Sequence, residues 1–432
     1  MSSEQEAQQP RRYAAPRGTS DLLPEDWPYW RYVRNVAERV CERFGYRRID
    51  TPTFEQAGVF LRTAGAGTDV VEKEVYLFED RGGDRLALRP EGTATVMRAY
   101  IEHGMSSLPQ PVRLYYIASN FRYDRPQAGR YRQHTQLGVE AVGDAEPLID
   151  AEVIDLQATF YRELGLESFT LKLNTIGDAV CRPKYIEALR DYYRPHLDEV
   201  CTDDRARFEK NPLRLLDCKE ERCQSIIAGA PRLADYLCDA CRQHFEDVRR
   251  YLDALSIPYA LDEHLVRGLD YYTRTVWEFH PSEEGAQSSI GSGGRYDGLI
   301  ELLGGTPTPG VGFGSGFERL ILNLKRQEVP VPPAATPDVY IAHLGTDAAA
   351  MALRIADAVR ATGHEAVVGP QGRSLKAQMR HANALRARYV AIIGAQEMEA
   401  GQVTLRDLED HSERRIQQAE LADVIAAESS GA

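Results

Sequence analysis

Between Arg113 and Gly143 the chain reads RLYYIASNFRYDRPQAGRYRQHTQLGVEAVG. The flanks are rich in Tyr, Val, Ile and Leu, and Pro126, Gln127, Ala128 and Gly129 cluster between them, which predicts a strand, a loop and a returning strand. Arg122 ends the first strand, and Arg125, Arg130 and Arg132 lie in the loop. Side chains alternate across a strand with period two, so Gln136, Gly138 and Glu140 share a face. Guanidinium forks match phosphate oxygens. An amide and a carboxylate beside them suit a zwitterion held next to a polyphosphate. The same segment also fits a salt-bridged surface hairpin.

Outward from this hairpin, 432 residues give room for two or three domains, each with its own core. No run of about 18 apolar residues occurs, so no membrane span is expected. The opening MSSEQEAQQPRRYAAP lacks the apolar core of a signal peptide. Residues 1–14 are therefore expected to be a disordered tail on a cytoplasmic protein. A net charge of −13 argues against coating nucleic acid through bulk positive charge, so any such contact must use a local patch. One candidate is 367–396, which holds Arg373, Lys376, Arg380, Arg386 and Arg388 and no acidic residue. A helix with a solvated basic face fits it equally.

Seven cysteines in a reducing compartment do not predict a disulfide framework. Cys218, Cys223, Cys238 and Cys241 follow the pattern C-x4-C-x14-C-x2-C, which fits a structural zinc site with four thiolates. It also fits reduced, buried cysteines, or a redox pair. Catalytic zinc is disfavoured, because four protein thiolates leave no open coordination position.

The apolar spacing of Trp27, Trp30, Val33, Val36, Ala37, Val40, Cys41 and Phe44 predicts a helix over 24–44. YRRIDTPTFE, from residue 46, reads as a strand whose Pro52 confines it to an edge, a bulge or a subunit boundary. VYLFED, RGGD and RLALRPEGTATVMRAYIEHG predict a hairpin running into a helix, with Glu91 and Thr93 at the corner, where they can cap the helix, touch a ligand, or both. A helix over 146–164 and the strand LKLNTIG follow. The stretch 178–255 turns helical and charged and reads as an insertion carrying the cysteine cluster. Strands return in HLVRGLDYYTRTVWEFH, then the glycine-rich SSIGSGGRYDGLIELLGG, which fits neither nucleotide-loop consensus. Glycines 310, 312, 314 and 316 alternate on one strand and lead into a helix at Phe317. Such glycines make room for a flat ring or another backbone, or simply permit tight packing. Arg319, on the first turn, can reach a terminal phosphate. A Pro-rich linker at 330–337 precedes alternating strands and helices over 338–425.

PRGTSDLLP, LRPEGTA, NFRYDRPQAGRYRQ with QLGVE, LVRGLDYYTRTVWEF, GGRYDGL and GFGSGFERL occur in this order. Together they resemble the histidyl-tRNA synthetase family of class II aminoacyl-tRNA synthetases. The resemblance implies an α+β fold: a six- or seven-stranded antiparallel catalytic sheet with helices (15–177 and 256–329), the helical insertion, and a C-terminal α/β anticodon-binding domain. It implies a homodimer joined through the Trp27 helix and the Pro52 strand. It also implies activation of L-histidine by ATP with Mg2+, then transfer to tRNA(His). Under it, Glu91, Thr93 and Gln136 hold the α-ammonium group, and Glu140 and Tyr272, with Tyr271 beside them, read the imidazole. Arg122 and Arg267 clamp the α-phosphate, Arg130 and Arg319 the outer phosphates. Arg125 and Gln127 approach the acceptor end of the tRNA, and Arg373, Lys376 and Arg380 contact RNA phosphates. Two positions depart from the family pattern: His134, where an aromatic stacks on adenine, and Ser292, where alanine is usual. The cysteine quartet is not general to the family, so zinc gains no support from it. The competing reading is a catalytically inactive paralogue that regulates ATP phosphoribosyltransferase.

Overall fold

The structure is a computed structural model and describes residues 13–63, 74–124, 129–281 and 289–429. All but the last two residues of the expected tail lie outside these ranges. The chain divides into two compact units, 1–332 and 333–432.

The first unit is built on an eight-stranded sheet. In spatial order its strands are Arg47–Arg48, Val112–Phe121, Gln133–Val142, Gly310–Gly316, Gly291–Arg295, Thr273–Pro281, Phe169–Thr175 and Tyr259–Leu261. The six inner strands pair antiparallel. The two short edge strands pair parallel, which takes the sheet beyond the expected six or seven and makes it mixed at its borders. The strand expected from residue 46 breaks in two. Arg47–Arg48 joins the large sheet, while Phe54–Gln56 joins a separate three-stranded sheet with Arg85–Leu88 and Leu77–Glu79. Pro52 falls in the gap, where its missing N–H costs no ladder bond.

The sheet separates two environments. One face carries Tyr115, Ile117, Leu137, Val139, Val311, Phe313, Trp277 and Phe279 into a core with helices Trp27–Arg43, Pro147–Glu163, Asp239–Ala254 and Phe317–Arg326. Each large side chain buried there contributes about 1.5–3 kcal/mol. Within this core Trp277 Nε1 donates to Gln157 Oε1 (2.6 Å), and the Tyr161 and Ser315 hydroxyls share a bond of 2.6 Å. Asp239–Ala254 closes the expected insertion in sequence, yet its Val248 and Leu252 lie in this sheet core. The rest of 178–255 forms helices Arg182–Tyr193, Thr202–Lys210 and Glu221–Ala228 against the opposite, pocket-bearing side.

The second unit is a five-stranded sheet ordered Ala366–Val368, Val339–His343, Tyr389–Ile393, Gln402–Asp407 and Glu413–Gln417, the first three parallel and the rest antiparallel. Helices Thr346–Ala361 and Leu421–Ser429 cover one face, and Leu375–Ala384 the other.

Candidate active site

The register of three neighbouring strands builds the pocket floor. Tyr116 pairs with Gly138, Glu140 with Gly312, and Gly138 with Gly314. Ser292 pairs with both Gly314 and Glu278. These residues share one face by the two-residue period. A Cβ on Gly312 would stand 2.1 Å from Glu140 Oε2, and one on Gly314 1.6 Å from Gln136 Nε2. The alternating glycines thus make room for polar side chains of the adjacent strand, a use the sequence reading did not specify. The cavity over this floor has a volume of about 800 Å³.

At its deep end Glu140 is buried and accepts from Thr93 Oγ1 (2.8 Å), Tyr116 Oη (3.2 Å) and Tyr296 Oη. Burial pushes its carboxyl up to about 8, against the opposing pull of these hydroxyls. Glu91 does two jobs. Its oxygens accept from the amides of Thr93 (2.5 Å) and Ala94 (2.9 Å), capping helix Thr93–Glu102, and it also lines the cavity. Burial raises its pKa, and the two amides oppose that. Gln136 is oriented by Asn120, whose Nδ2 donates to its Oε1 (2.6 Å). Tyr271 and Tyr272 close the side wall with ring centroids 4.8 Å apart. Their loop is not strand, as expected from HLVRGLDYY, but irregular up to Thr273. Arg182 of the insertion holds it by donating to the carbonyls of Tyr272 (2.6 Å), Gly177 (3.0 Å) and Ile176 (3.1 Å).

The outer cavity is cationic. Arg122, Arg130, Arg267 and Arg319 all line it. Arg122 Nε is held by Pro90 O (2.8 Å), and Arg319 by Gly129 O (2.8 Å) and Ser289 O (2.9 Å). Arg130 lies 3.4 Å from Asp124. Arg267 is ion-paired with Glu278, donates to Ser292 Oγ (2.5 Å), and sits 5.5 Å from the Tyr272 ring centroid. The serine departure therefore supplies an acceptor for this arginine. Burial works against charge on Glu278, but Arg267 and His280 overcome it and hold the carboxyl below its ordinary value. Burial, then Arg122 and Arg319, drive the His134 imidazole down to about 3, leaving it neutral at physiological pH. Arg319 itself is lowered by burial and by Arg130 and Arg122. Four guanidiniums around one cavity are a preformed anion cradle.

The structure thus brings Glu91, Thr93, Arg122, Arg130, His134, Gln136, Arg267, Tyr271, Tyr272 and Arg319 to one cavity wall, with Glu140 just beneath it. Arg125 and Gln127 lie outside the described residues. Arg373, Lys376 and Arg380 are exposed in the second unit, the latter two one turn apart on helix Leu375–Ala384. The expected cysteine quartet is divided: Cys218 and Cys223 meet Cys201 and Asp204, while Cys238 and Cys241 meet Asp178 and Cys181. Sequence spacing pairs cysteines that are near in the chain but cannot show which distant segment folds onto each pair. Tyr116, Tyr296, Glu278 and Asn120 were missed as site residues. Tyr116 and Asn120 carried a signal, since the two-residue period places both on the Gln136 side of the hairpin.

A large, mainly antiparallel sheet with this hairpin and glycine strand, followed by a separate α/β anticodon-binding unit, defines a class II aminoacyl-tRNA synthetase. A family model described as histidyl-tRNA synthetase matches residues 18–320, and an anticodon-binding domain model matches 338–428. A histidine–tRNA ligase of Dehalococcoides mccartyi strain 195 is 52% identical over 404 residues, covering 94% of this chain and 97% of the relative. That of Desulforamulus reducens is 47% identical over 412 residues, covering 95% and 98%. The crystal structure of apo S. aureus histidyl-tRNA synthetase superposes with a TM-score of 0.81 at 36% identity, covering 96% of this chain and all of that one. The chain belongs to the histidyl-tRNA synthetase family.

Proposed function

We propose that the protein is a histidine–tRNA ligase that activates L-histidine with ATP and transfers it to tRNA(His). The observation that carries this reading is one cavity with a carboxylate-and-tyrosine end and a four-arginine end on a single sheet face. In the first step a histidine carboxylate oxygen attacks the α-phosphorus of ATP. The bond to the bridging oxygen breaks, and pyrophosphate leaves. No protein nucleophile is needed; alignment and charge stabilisation suffice. Glu91, Thr93 and Gln136 take the α-ammonium group. Glu140 and Tyr272 take the imidazole, and a buried polar pocket of this kind rejects side chains that leave its groups unpaired. Arg122 and Arg267 steady the α-phosphate, and Arg130 and Arg319 the outer phosphates. Neutral His134 is suited to stack on adenine. Magnesium, a hard cation that takes oxygen ligands, would supply charge neutralisation at the phosphates.

In the second step a hydroxyl of the terminal tRNA ribose attacks the adenylate carbonyl, and AMP leaves. Arg125 and Gln127 would meet the acceptor end, and the second unit the anticodon, with Arg373, Lys376 and Arg380 positioning RNA through its phosphates. A cytoplasmic site of action fits these substrates. A homodimer fits the exposed apolar residues of the three-stranded sheet, where Phe54 (53% exposed) and Phe78 (41%) stack edge to face. The test is pyrophosphate exchange into ATP with histidine and, separately, with each other proteinogenic amino acid. Exchange with histidine alone is expected. No exchange from folded protein would favour the paralogue that regulates ATP phosphoribosyltransferase.

A further inference from the structure

We propose that the protein binds two structural zinc ions, one on Asp178, Cys181, Cys238 and Cys241 and one on Cys201, Asp204, Cys218 and Cys223. Each group contributes one ligand atom per residue, and those four atoms lie within 4.8 Å of one another. Zinc–thiolate bonds of about 2.3 Å in a tetrahedron set sulfurs about 3.8 Å apart. Cys201 Sγ and Cys218 Sγ are 3.8 Å apart. Three sulfurs and one carboxylate form a soft donor set that selects zinc over magnesium or calcium. The fourth seat suits an aspartate oxygen, which is within the zinc repertoire. Six of the seven cysteines enter these two groups, three in each; the seventh, Cys41, is buried under the large sheet.

A second, independent observation comes from Asp204. Its side chain is fully buried, Oδ1 is paired with Arg207 (3.1 Å), and Oδ2 is a buried oxygen with no hydrogen-bond partner among the described residues. Buried polar atoms are rarely left this way, and a metal ion satisfies one. The surroundings match the charge. Three thiolates and a carboxylate exceed a divalent cation by two negative charges, and each aspartate has an arginine at hand, Arg207 for Asp204 and Arg274 for Asp178 (3.6 Å). Cys201 and Cys238 stand at the N-caps of helices Thr202–Lys210 and Asp239–Ala254, beside first-turn amides that have no intrahelical acceptor. Backbone N–H groups already point at the sulfurs: Asp204 at Cys201, Cys201 at Cys223, and Asp178 at Cys181, each 3.4 Å.

The two ions do different work. The first staples the start of the helical stretch to its last helix, beside Arg182 and Arg274, which brace the Tyr271–Tyr272 loop. The second joins Thr202–Lys210 to Glu221–Ala228 at the cavity rim, which Cys201 and Cys218 line. Both follow from side-chain placement and do not depend on the ligase reading.

The deciding experiment is elemental analysis with native mass spectrometry of the full chain, expressed with added zinc and purified without chelator or a metal-affinity tag. Two zinc ions per chain are expected. C181S and C201S should each retain one, and C41S both. Cobalt(II) in place of zinc should give thiolate charge-transfer bands of equal intensity in the two single variants, half that of the parent. If either variant fails to fold, titrating the parent with a thiol-specific mercurial should release two zinc ions as six thiols react. One ion per chain, none, or loss of both ions in C201S alone would overturn the two-site proposal.

Discussion

Replacing Arg267 with alanine tests the chemistry most directly. Its guanidinium is largely buried, with 17% of the side chain exposed, and is held by Glu278 and Ser292 on one side of the phosphate end. A preorganised donor that meets charge developing in the transition state is worth about 10²–10³ in kcat, or roughly 2.7–4 kcal/mol. The histidine end loses less. Arg267 meets it at Tyr272, whose ring centroid is 5.5 Å away, a cation–π term of about 0.5–2 kcal/mol. Pyrophosphate exchange should therefore show kcat down by about two to three orders of magnitude and histidine KM shifted far less. The substitution leaves Glu278 with His280 at 2.9 Å but without its arginine, and breaking a buried pair costs about 3–5 kcal/mol. The double variant R267A/E278Q removes that penalty and should recover stability without recovering kcat. A large rise in histidine KM at unchanged kcat would refute the assignment, because it would mean binding shared equally by ground and transition states.

Gly314→Ala should raise histidine KM at least tenfold by driving Gln136 off Asn120, as steady-state exchange kinetics would show; an unchanged KM would mean Gln136 is not a ligand. Glu140, with its carboxyl raised to about 8, holds a proton in the folded state that the unfolded chain releases near 4.5. Its contribution is therefore full below pH 4.5 and lost as pH rises through 8. Wild type should lose ground to E140Q by up to about 1.4 kcal/mol per pH unit across that window, and urea midpoints that track in parallel would contradict it. Arg295 of GGRYDGL is wholly buried against Asp150, Asp297 and the carbonyls of Asp144 and Glu146. R295M should cost about 3–5 kcal/mol in urea denaturation, and R295M/D150N much less; a loss under about 1 kcal/mol would remove its structural role. Residues 1–332 alone should keep histidine-dependent exchange and lose most charging of tRNA(His), whereas full charging would dissociate the second unit from tRNA binding.

Much of this was readable from residue order because it depends on short periods. The hairpin, the glycine strand and the first long helix follow from two- and 3.6-residue repeats, and Arg267 and Arg319 stand in local motifs. What escaped depends on segments far apart in sequence. The two edge strands are only two and three residues long, too short for any alternation to register. Tyr296 reaches Glu140 across more than 150 positions, and Cys181 and Cys201 join cysteines presented by other helices. Asp239–Ala254 shares the charged texture of its neighbours, so composition hid the Val248 and Leu252 stripe that sends it into the sheet core.

The glycine floor bears on how this pocket can change. At positions 138, 312 and 314 the side chain is already at its minimum, and the space above belongs to Tyr116, Glu140 and Gln136. Mutation there can only subtract volume, so those sites can narrow the range of acceptable amino acids and never widen it. A lineage, or a laboratory selection, seeking a bulkier substrate would have to shorten the tyrosines at 116, 271, 272 or 296. Two of these give their hydroxyls to Glu140. Broader acceptance would thus come with a loosened grip on the group that reads histidine, which makes narrow selectivity the path of least resistance for this architecture.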